Sequence, residues 1–202
     1  MSESYPSTGG VVLAGGLARR MGGGDKALVE LAGRPLLDHV LARLGPQVDR
    51  LLLNVNGDPA RFAAWPLPYA PDPIPGHPGP LAGVLAGMEF FAAQGVPWIV
   101  TVAADTPFIP TDLVAKLHEA RGEHPIAVAC TGQRTQPTIA LYATRLADEL
   151  RASLLAGERK IDRWTARHGE GRASWMDWPV DPFFNVNTKE DLAAAEAMAG
   201  RM

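Results

Sequence analysis

Residues 11–26 constrain this chain more than any other stretch. Val11-Val12-Leu13 is a short apolar run that reads as a buried strand. It opens into a segment where five glycines fall within the ten positions Gly15 to Gly24, interleaved with Arg19 and Arg20 and closed by Lys26. Glycine tolerates positive φ and lets the backbone come close to a ligand. Successive N–H groups in such a turn form a concave anion nest, and the three cations add fixed positive charge around it. A plain turn is the competing reading of the glycines; the interleaved cations favour a polyphosphate site. Neither standard phosphate loop is present. No Gly-Lys-Ser/Thr closes the stretch as in a Walker A loop, and the Gly-x-Gly-x-x-Gly spacing of a dinucleotide fingerprint is missing.

The rest of the chain is long enough to give that loop a folded setting. At 202 residues, 47% apolar and 20% charged, it suits a single α/β domain with a sizeable core. A net charge of −3 lacks the footprint of a general nucleic-acid binder. The lone Cys130, in an apolar run, is expected to be a small buried residue. The polar first residues do not resemble a signal peptide, and the longest apolar run, Val96 to Ala104, is far too short to span a bilayer. The expectation is a cytoplasmic protein with a flexible segment at residues 1–9 and one domain over 10–202.

Local pattern then predicts an alternation of strands and helices. Strands are expected at 10–13, 50–55, 67–70, 96–104, 126–131, 137–142 and 173–178, and a short extended piece at 27–31. Helices are expected at 36–44, from Pro80 or Leu81 to about 94, at 112–121 capped by Thr111, at 146–155, from 161 to about 168, and at 189–199, opened by a Thr188/Asp191 cap. Ligands of open α/β sheets bind beyond the carboxyl ends of the strands, which draws attention to the polar residues there. Asn54 ends one strand and offers a donor and an acceptor for a base or sugar edge, or else caps a turn. Asp105 follows the most hydrophobic strand. It either opens an Asx turn or holds Mg²⁺, which takes few protein oxygens and leaves its other positions to water and phosphate. Gly83 and Gly87 are poor helix formers, explained by close approach of a ligand or by helix–sheet packing. Asn185 and Asn187 alternate and so project to one side of an extended stretch. His77, alone in a Pro- and Gly-rich loop, reads as solvated. No Cys-x-x-Cys, His-Glu-x-x-His or Gly-x-Ser-x-Gly is present.

Several stretches together resemble one family. These are Leu13-Ala14-Gly15-Gly16 with Arg20-Met21-Gly22 and Lys26, Gly79 to Gly83, Asp105-Thr106-Pro107-Phe108-Ile109-Pro110, and Phe183-Phe184-Asn185-Val186-Asn187-Thr188. In this order and spacing they are similar to the molybdenum cofactor guanylyltransferases. The resemblance implies a Rossmann-like nucleotidyltransferase fold, with a mainly parallel central sheet and helices on both faces. It implies that the opening loop wraps a nucleoside triphosphate, and Gly15 after Ala14, where relatives using CTP commonly have alanine, favours GTP. The implied reaction joins GTP to molybdenum-bearing molybdopterin and releases pyrophosphate. Arg20, Lys26 and Asp105 are then the catalytic candidates, with Mg²⁺ on Asp105. Leu13, Ala14, Gly15, Gly16, Lys26, Asn54, Asp72 and Asp105 are the nucleotide-binding set, and Lys160, Asn185 and Asn187 face the pterin. Gln136 stands where the family pattern has histidine, so no catalytic histidine is assigned. The implied protein is a monomer that binds neither nucleic acid nor membrane, with proteins that deliver molybdopterin or accept the finished cofactor as the expected partners. Rival expectations are a cytidylyl or sugar-phosphate nucleotidyltransferase of the same fold, or a GTP-binding module without catalysis.

Overall fold

The computed structural model describes residues 5–15, 24–76, 79–176 and 180–200. Its centre is a seven-stranded sheet built from β1 (Thr8–Leu13), β4 (Arg50–Asn54), β5 (Tyr69–Ala70), β6 (Trp98–Ala103), β7 (Ile126–Thr131), β8 (Arg134–Ala143) and β9 (Gly171–Ser174). A separate two-stranded hairpin joins β2 (Glu30–Leu31) to β3 (Arg34–Pro35). The helices are α1 (Leu36–Leu44), α2 (Pro80–Ala92), α3 (Leu113–Arg121), α4 (Ala147–Leu155), α5 (Ile161–Thr165) and α6 (Lys189–Ala199).

The strand order is β5-β4-β1-β6-β8-β7-β9. Only β8 runs against its neighbours β6 and β7; the other pairings are parallel. The chain builds outward from β1 through β4 to β5, then crosses back over α2 to lay β6 on the other side of β1. That reversal makes β1/β6 the topological switch point, where such sheets bind ligands.

Strand alternation divides the core in two. Val12, Leu53, Val100, Val102, Ala127 and Leu141 face α1 and α3, whereas Val11, Leu52, Ile99, Ile126, Val128 and Tyr142 face α2, α4 and α5. Helices therefore cover both faces, as the family resemblance implied. α1 turns Leu36, Leu37, Val40 and Leu44 inward, the stripe expected of an amphipathic helix. α2 is buried along most of its length and lies close against the sheet. A Cβ on Gly87 would come 2.5 Å from a Val11 methyl, and one on Gly83 would come 2.7 Å from a Leu13 methyl. Strand packing therefore accounts for both glycines. A third cluster, Leu31, Leu36, Phe108, Val186 and Ala195, joins α6 to the hairpin.

Several expected boundaries shift. β1 begins at Thr8, and the neighbouring residues, expected to be loose, are tied down: Ser7 and Thr8 donate to Asp49, and the Tyr5 hydroxyl donates to Glu119. Residues 27–31 are not one extended piece. A 3₁₀ turn over Lys26–Leu28 leads into the hairpin, whose Ala32-Gly33 turn has φ of 51° and 73°, the left-handed pair that matches hairpin twist. Asp112, not Thr111, precedes α3, and it makes no cap bond there because its carboxylate serves Trp175 and Lys116. β8 starts at Arg134, directly after a Gly132-Gln133 turn, and β5 shrinks to two residues at the sheet edge. β9 ends at Ser174 and α5 at Thr165. Cys130 is buried, its Sγ donating to the Ala173 carbonyl. The α6 cap forms as expected, Thr188 and Asp191 each bonding the other's backbone. Among the described residues no helix is long and apolar enough to cross a membrane.

Candidate active site

The carboxyl ends of β1 and β6 frame the site. The ladders on both sides of β1 run one residue past the strands: the Ala104 N–H after β6 donates to the Leu13 carbonyl, and the Ala14 N–H after β1 donates to the Asn54 carbonyl at the end of β4. Asp105 thus emerges beside the start of the glycine-rich loop. The 3₁₀ turn that begins at Lys26 brings its ammonium to Asp105 Oδ2 at 2.8 Å and to Asn187 Oδ1 at 2.6 Å. Both partners of the ion pair are mostly enclosed, with 18% and 17% of their side chains exposed. Asp105 Oδ1 is buried and takes no hydrogen bond among the described residues.

The chain after Phe184 is drawn across this pair. The Val186 N–H donates to the Asp105 carbonyl and the Thr106 hydroxyl to Asn185 Oδ1, both at 2.9 Å. Asp191 accepts from the Asn187 and Thr188 N–H groups, so the cap of α6 also holds Asn187 against Lys26.

A cavity of about 390 Å³ opens next to the pair, lined by Leu13, Gly15, Asn54, Asn56, Asp72 and Thr138 among others. A smaller one of about 70 Å³ shares Leu13 and Ala103 with it and reaches Ala14, Lys26 and Asp105. Asn54 does not point a free amide into the larger cavity. Its Nδ2 donates to the Ala70 carbonyl and to Asp72 Oδ1, and its Oδ1 lies where a Cβ on Gly83 would fall, 2.3 Å away. Asn56 completes the brace, donating to Asp72 Oδ2 at 2.8 Å and accepting from the Asp72 N–H. Asp72 is therefore a carboxylate fixed by two amides. Thr138 reaches the rim through an irregularity in β8: Val128 faces Ala140 but Ala129 faces Gln136, so residues 137–139 bulge. Pro137, which has no N–H to give the ladder, suits that bulge.

Not every expected residue joins the cluster. Gly16, Arg19, Arg20 and His77 lie outside the described residues. Lys160 is exposed at the start of α5, and no hydrogen bond or ion pair links it to Lys26, Asp105 or Asn187 among the described residues. Arg159 folds back onto the carbonyls of Leu154 and Glu158, but the Arg159 carbonyl lies beside Gly79 at the cavity rim. The loop is held by Glu158, whose carboxyl accepts from the Lys160 and Arg159 N–H groups and lies below the usual carboxylate range because of them. Gln136 is buried in β8 with Nε2 unpaired among the described residues.

Sequence reasoning missed Asn56 and Thr106 as members of the site. Asn56 had a signal, standing two residues after Asn54 at a strand end; Thr106 had only its place beside Asp105. Another cavity, of about 340 Å³, opens near Thr8, Asp49 and Thr111. It offers little chemistry, because the Asp49 carboxylate is already engaged by Ser7 and Thr8.

A doubly wound sheet with an ammonium–carboxylate pair and a nucleotide-sized cavity at its switch point defines an α/β nucleotidyltransferase. The chain belongs to the family of the MobA-like NTP transferase domain, which matches residues 10–172. It is 54% identical over 202 residues to the molybdenum cofactor guanylyltransferase of Rhodopseudomonas palustris strain BisB5, covering 98% of this chain and 96% of that one. It is 50% identical over 204 residues to the enzyme of the same name from Nitrobacter hamburgensis, covering 98% of each. Its fold is similar to that of molybdopterin-guanine dinucleotide biosynthesis protein A from Archaeoglobus fulgidus. That similarity has a TM-score of 0.78 at 25% identity and covers 96% of this chain and all of the other.

Proposed function

We propose that this chain transfers the guanylyl group of GTP to the terminal phosphate of molybdenum-bearing molybdopterin, releasing pyrophosphate and leaving a guanine dinucleotide cofactor. The carrying observation is the Lys26 ammonium, held between Asp105 and Asn187 beside a cavity lined by the braced Asp72. The names of the near-full-length relatives support the choice of substrates.

In this reading a phosphate oxygen of the pterin bonds to the α-phosphorus of GTP, and the bond from that phosphorus to the bridging oxygen breaks. The attacking phosphate is already ionised near neutral pH, so positioning and charge neutralisation carry the catalysis, without a strong general base. An ammonium has three N–H donors. Lys26 uses two on Asp105 and Asn187, which leaves one for a phosphate oxygen. Leu13, Ala14 and Gly15 line the nucleotide. Asp72 has one acceptor site on each oxygen beyond those taken by Asn54 and Asn56, available to a ribose hydroxyl or a guanine N–H. Asn185, Asn187 and Lys160 serve the pterin side, and Gly16 and Arg20 belong to the phosphate loop.

The site also fits a divalent cation, proposed as Mg²⁺. Asp105 Oδ1 is an orphaned buried oxygen, and no group of three metal-ligating side chains occurs among the described residues. One carboxylate plus substrate phosphates is the donor set Mg²⁺ prefers. Bound there, the ion would neutralise charge on the phosphate oxygens. The proposed setting is the cytoplasm, as a monomer, with molybdopterin-delivering or cofactor-accepting proteins as partners.

Thermal unfolding with GTP, CTP, ATP or UTP, each with and without Mg²⁺, tests the nucleotide assignment. A ligand at a hundred times its Kd stabilises the folded state by about 2.7 kcal/mol. A Mg²⁺-sensitive rise selective for GTP is expected, followed by turnover with molybdopterin. A rise with CTP instead identifies a cytidylyl transferase, and GTP binding without turnover identifies a binding module.

A further inference from the structure

We infer that Arg61 is a positioning residue that holds the phosphate side and the nucleoside side of the site in register; this rests on the nucleotide reading above. Arg61 lies in none of the stretches that carry the family resemblance. It sits on a 3₁₀ turn, Pro59–Phe62, between β4 and β5, and it lines neither cavity at the switch point. Its guanidinium nevertheless joins the two halves. Nη1 donates to both Asp25 oxygens, at 2.6 and 2.7 Å, Nη2 donates to the Asn56 carbonyl at 2.7 Å, and Nε donates to the Asp58 carbonyl at 2.8 Å.

Each end of this clamp leads to the site in one step. Asp25 immediately precedes Lys26, and its carbonyl accepts from Leu28 to start the turn that carries the lysine. Asn56 braces Asp72 through its side chain. The platform beneath is itself anchored. Asp58 caps the turn through the Ala60 N–H, and Phe62 is buried in the core.

The charge and the shape of Arg61 both matter. The Asp25 side chain is only 6% exposed, and a buried carboxylate needs a hydrogen-bonded cation beside it. The planar fork of arginine can grip a carboxylate while its other N–H groups reach two carbonyls; the single ammonium of lysine cannot. Without the clamp, Asp25 would have to turn out to water, shifting Lys26, while Asn56 would lose its main-chain anchor.

The experiment measures GTP binding by calorimetry with Mg²⁺, and KM for GTP and for molybdopterin, on folded wild type, Arg61→Ala, Arg61→Lys, Asp25→Asn and the double variant Arg61→Ala/Asp25→Asn. Arg61→Ala is expected to weaken GTP binding about tenfold or more, with KM for molybdopterin little changed. The double variant should be no worse than Arg61→Ala, since both changes cut the same link. Arg61→Lys keeps the charge beside Asp25 and carries the test if the alanine variant does not fold; it too should bind GTP more weakly. A purely structural clamp would change the melting temperature and the yield of folded protein but leave GTP affinity per folded molecule at the wild-type value. That result for the folded arginine variants overturns the inference alone. A wild type that binds no nucleotide overturns the underlying reading, and the inference with it.

Discussion

Lys26 and Asp105 illustrate how much a single residue's partners decide. The ammonium is shared between a carboxylate and an amide carried by segments 79 and 161 residues away in the chain. Removing the Asp105 carboxylate leaves Lys26 with Asn187 and does not touch the Asp105 carbonyl that accepts from Val186. Asp105→Ala is therefore expected to keep the fold, as judged by circular dichroism and melting, while turnover with GTP and molybdopterin falls by at least about a hundredfold. Retained activity with an ordinary Mg²⁺ dependence would remove the metal assignment. Both residues were legible in the sequence as candidates, one closing a glycine loop and the other ending a strand. Asn54 was legible as a candidate but not in its hydrogen bonding, because nothing local reveals that its amide nitrogen already donates to Ala70 and Asp72.

Helix α2 sets its distance from the sheet with two glycines, and they should differ in what they support. Replacing glycine by alanine inside a helix gains about 1 kcal/mol of propensity, while overpacking a close contact costs about 1–3 kcal/mol. At Gly87 the atoms nearest the new methyl belong to core side chains, Val11 and Ile99. At Gly83 it meets Leu13 and the Asn54 amide that braces Asp72. Gly87→Ala should lower the denaturant midpoint and leave GTP affinity per folded molecule unchanged. Gly83→Ala should lower both, and equal GTP affinity in the two variants would refute the link between this helix and the nucleotide side. The end of α6 has a comparable double role. Its capping box could be read from Thr188 and Asp191, but the bond from Asn187 to Asp191 that steadies the Lys26 partner depends on the path of the preceding chain.

Stability of the whole molecule should fall in mild acid, and His118 supplies a reason. It is 5% exposed on α3 and lies between Tyr5, stacked on it, and Trp98. The Thr8 hydroxyl donates to the Pro6 carbonyl, so the contact between Thr8 Oγ1 and His118 Nε2 is best satisfied with that nitrogen protonated. Nδ1 is then the unprotonated, buried nitrogen without a partner among the described residues. Burial, helped by the positive charge of Arg121, pushes the imidazole down to about 4. The unfolded chain, with its histidine near 6.5, binds the proton first. The stabilising contribution is therefore complete above about pH 6.5 and is lost as the pH falls towards 4, by at most about 1.4 kcal/mol per pH unit for one proton. Urea unfolding from pH 7.5 to 4 should show this slope, and His118→Gln should flatten it. An unchanged slope in the variant would assign the acid sensitivity to other groups.

The sequence by itself determined the alternation of strands and helices, the α6 cap and the family, because each is written in local periodicity or in a contiguous motif. Tertiary structure alone decided that β8 runs antiparallel between β6 and β7, that Asn54 and Asn56 together fix Asp72, and that Arg61 reaches across 36 residues to Asp25. The physical reason is the same in each case. A buried polar group must find its partner wherever folding brings one, and the partners of these residues become neighbours only once the strands that carry them have paired.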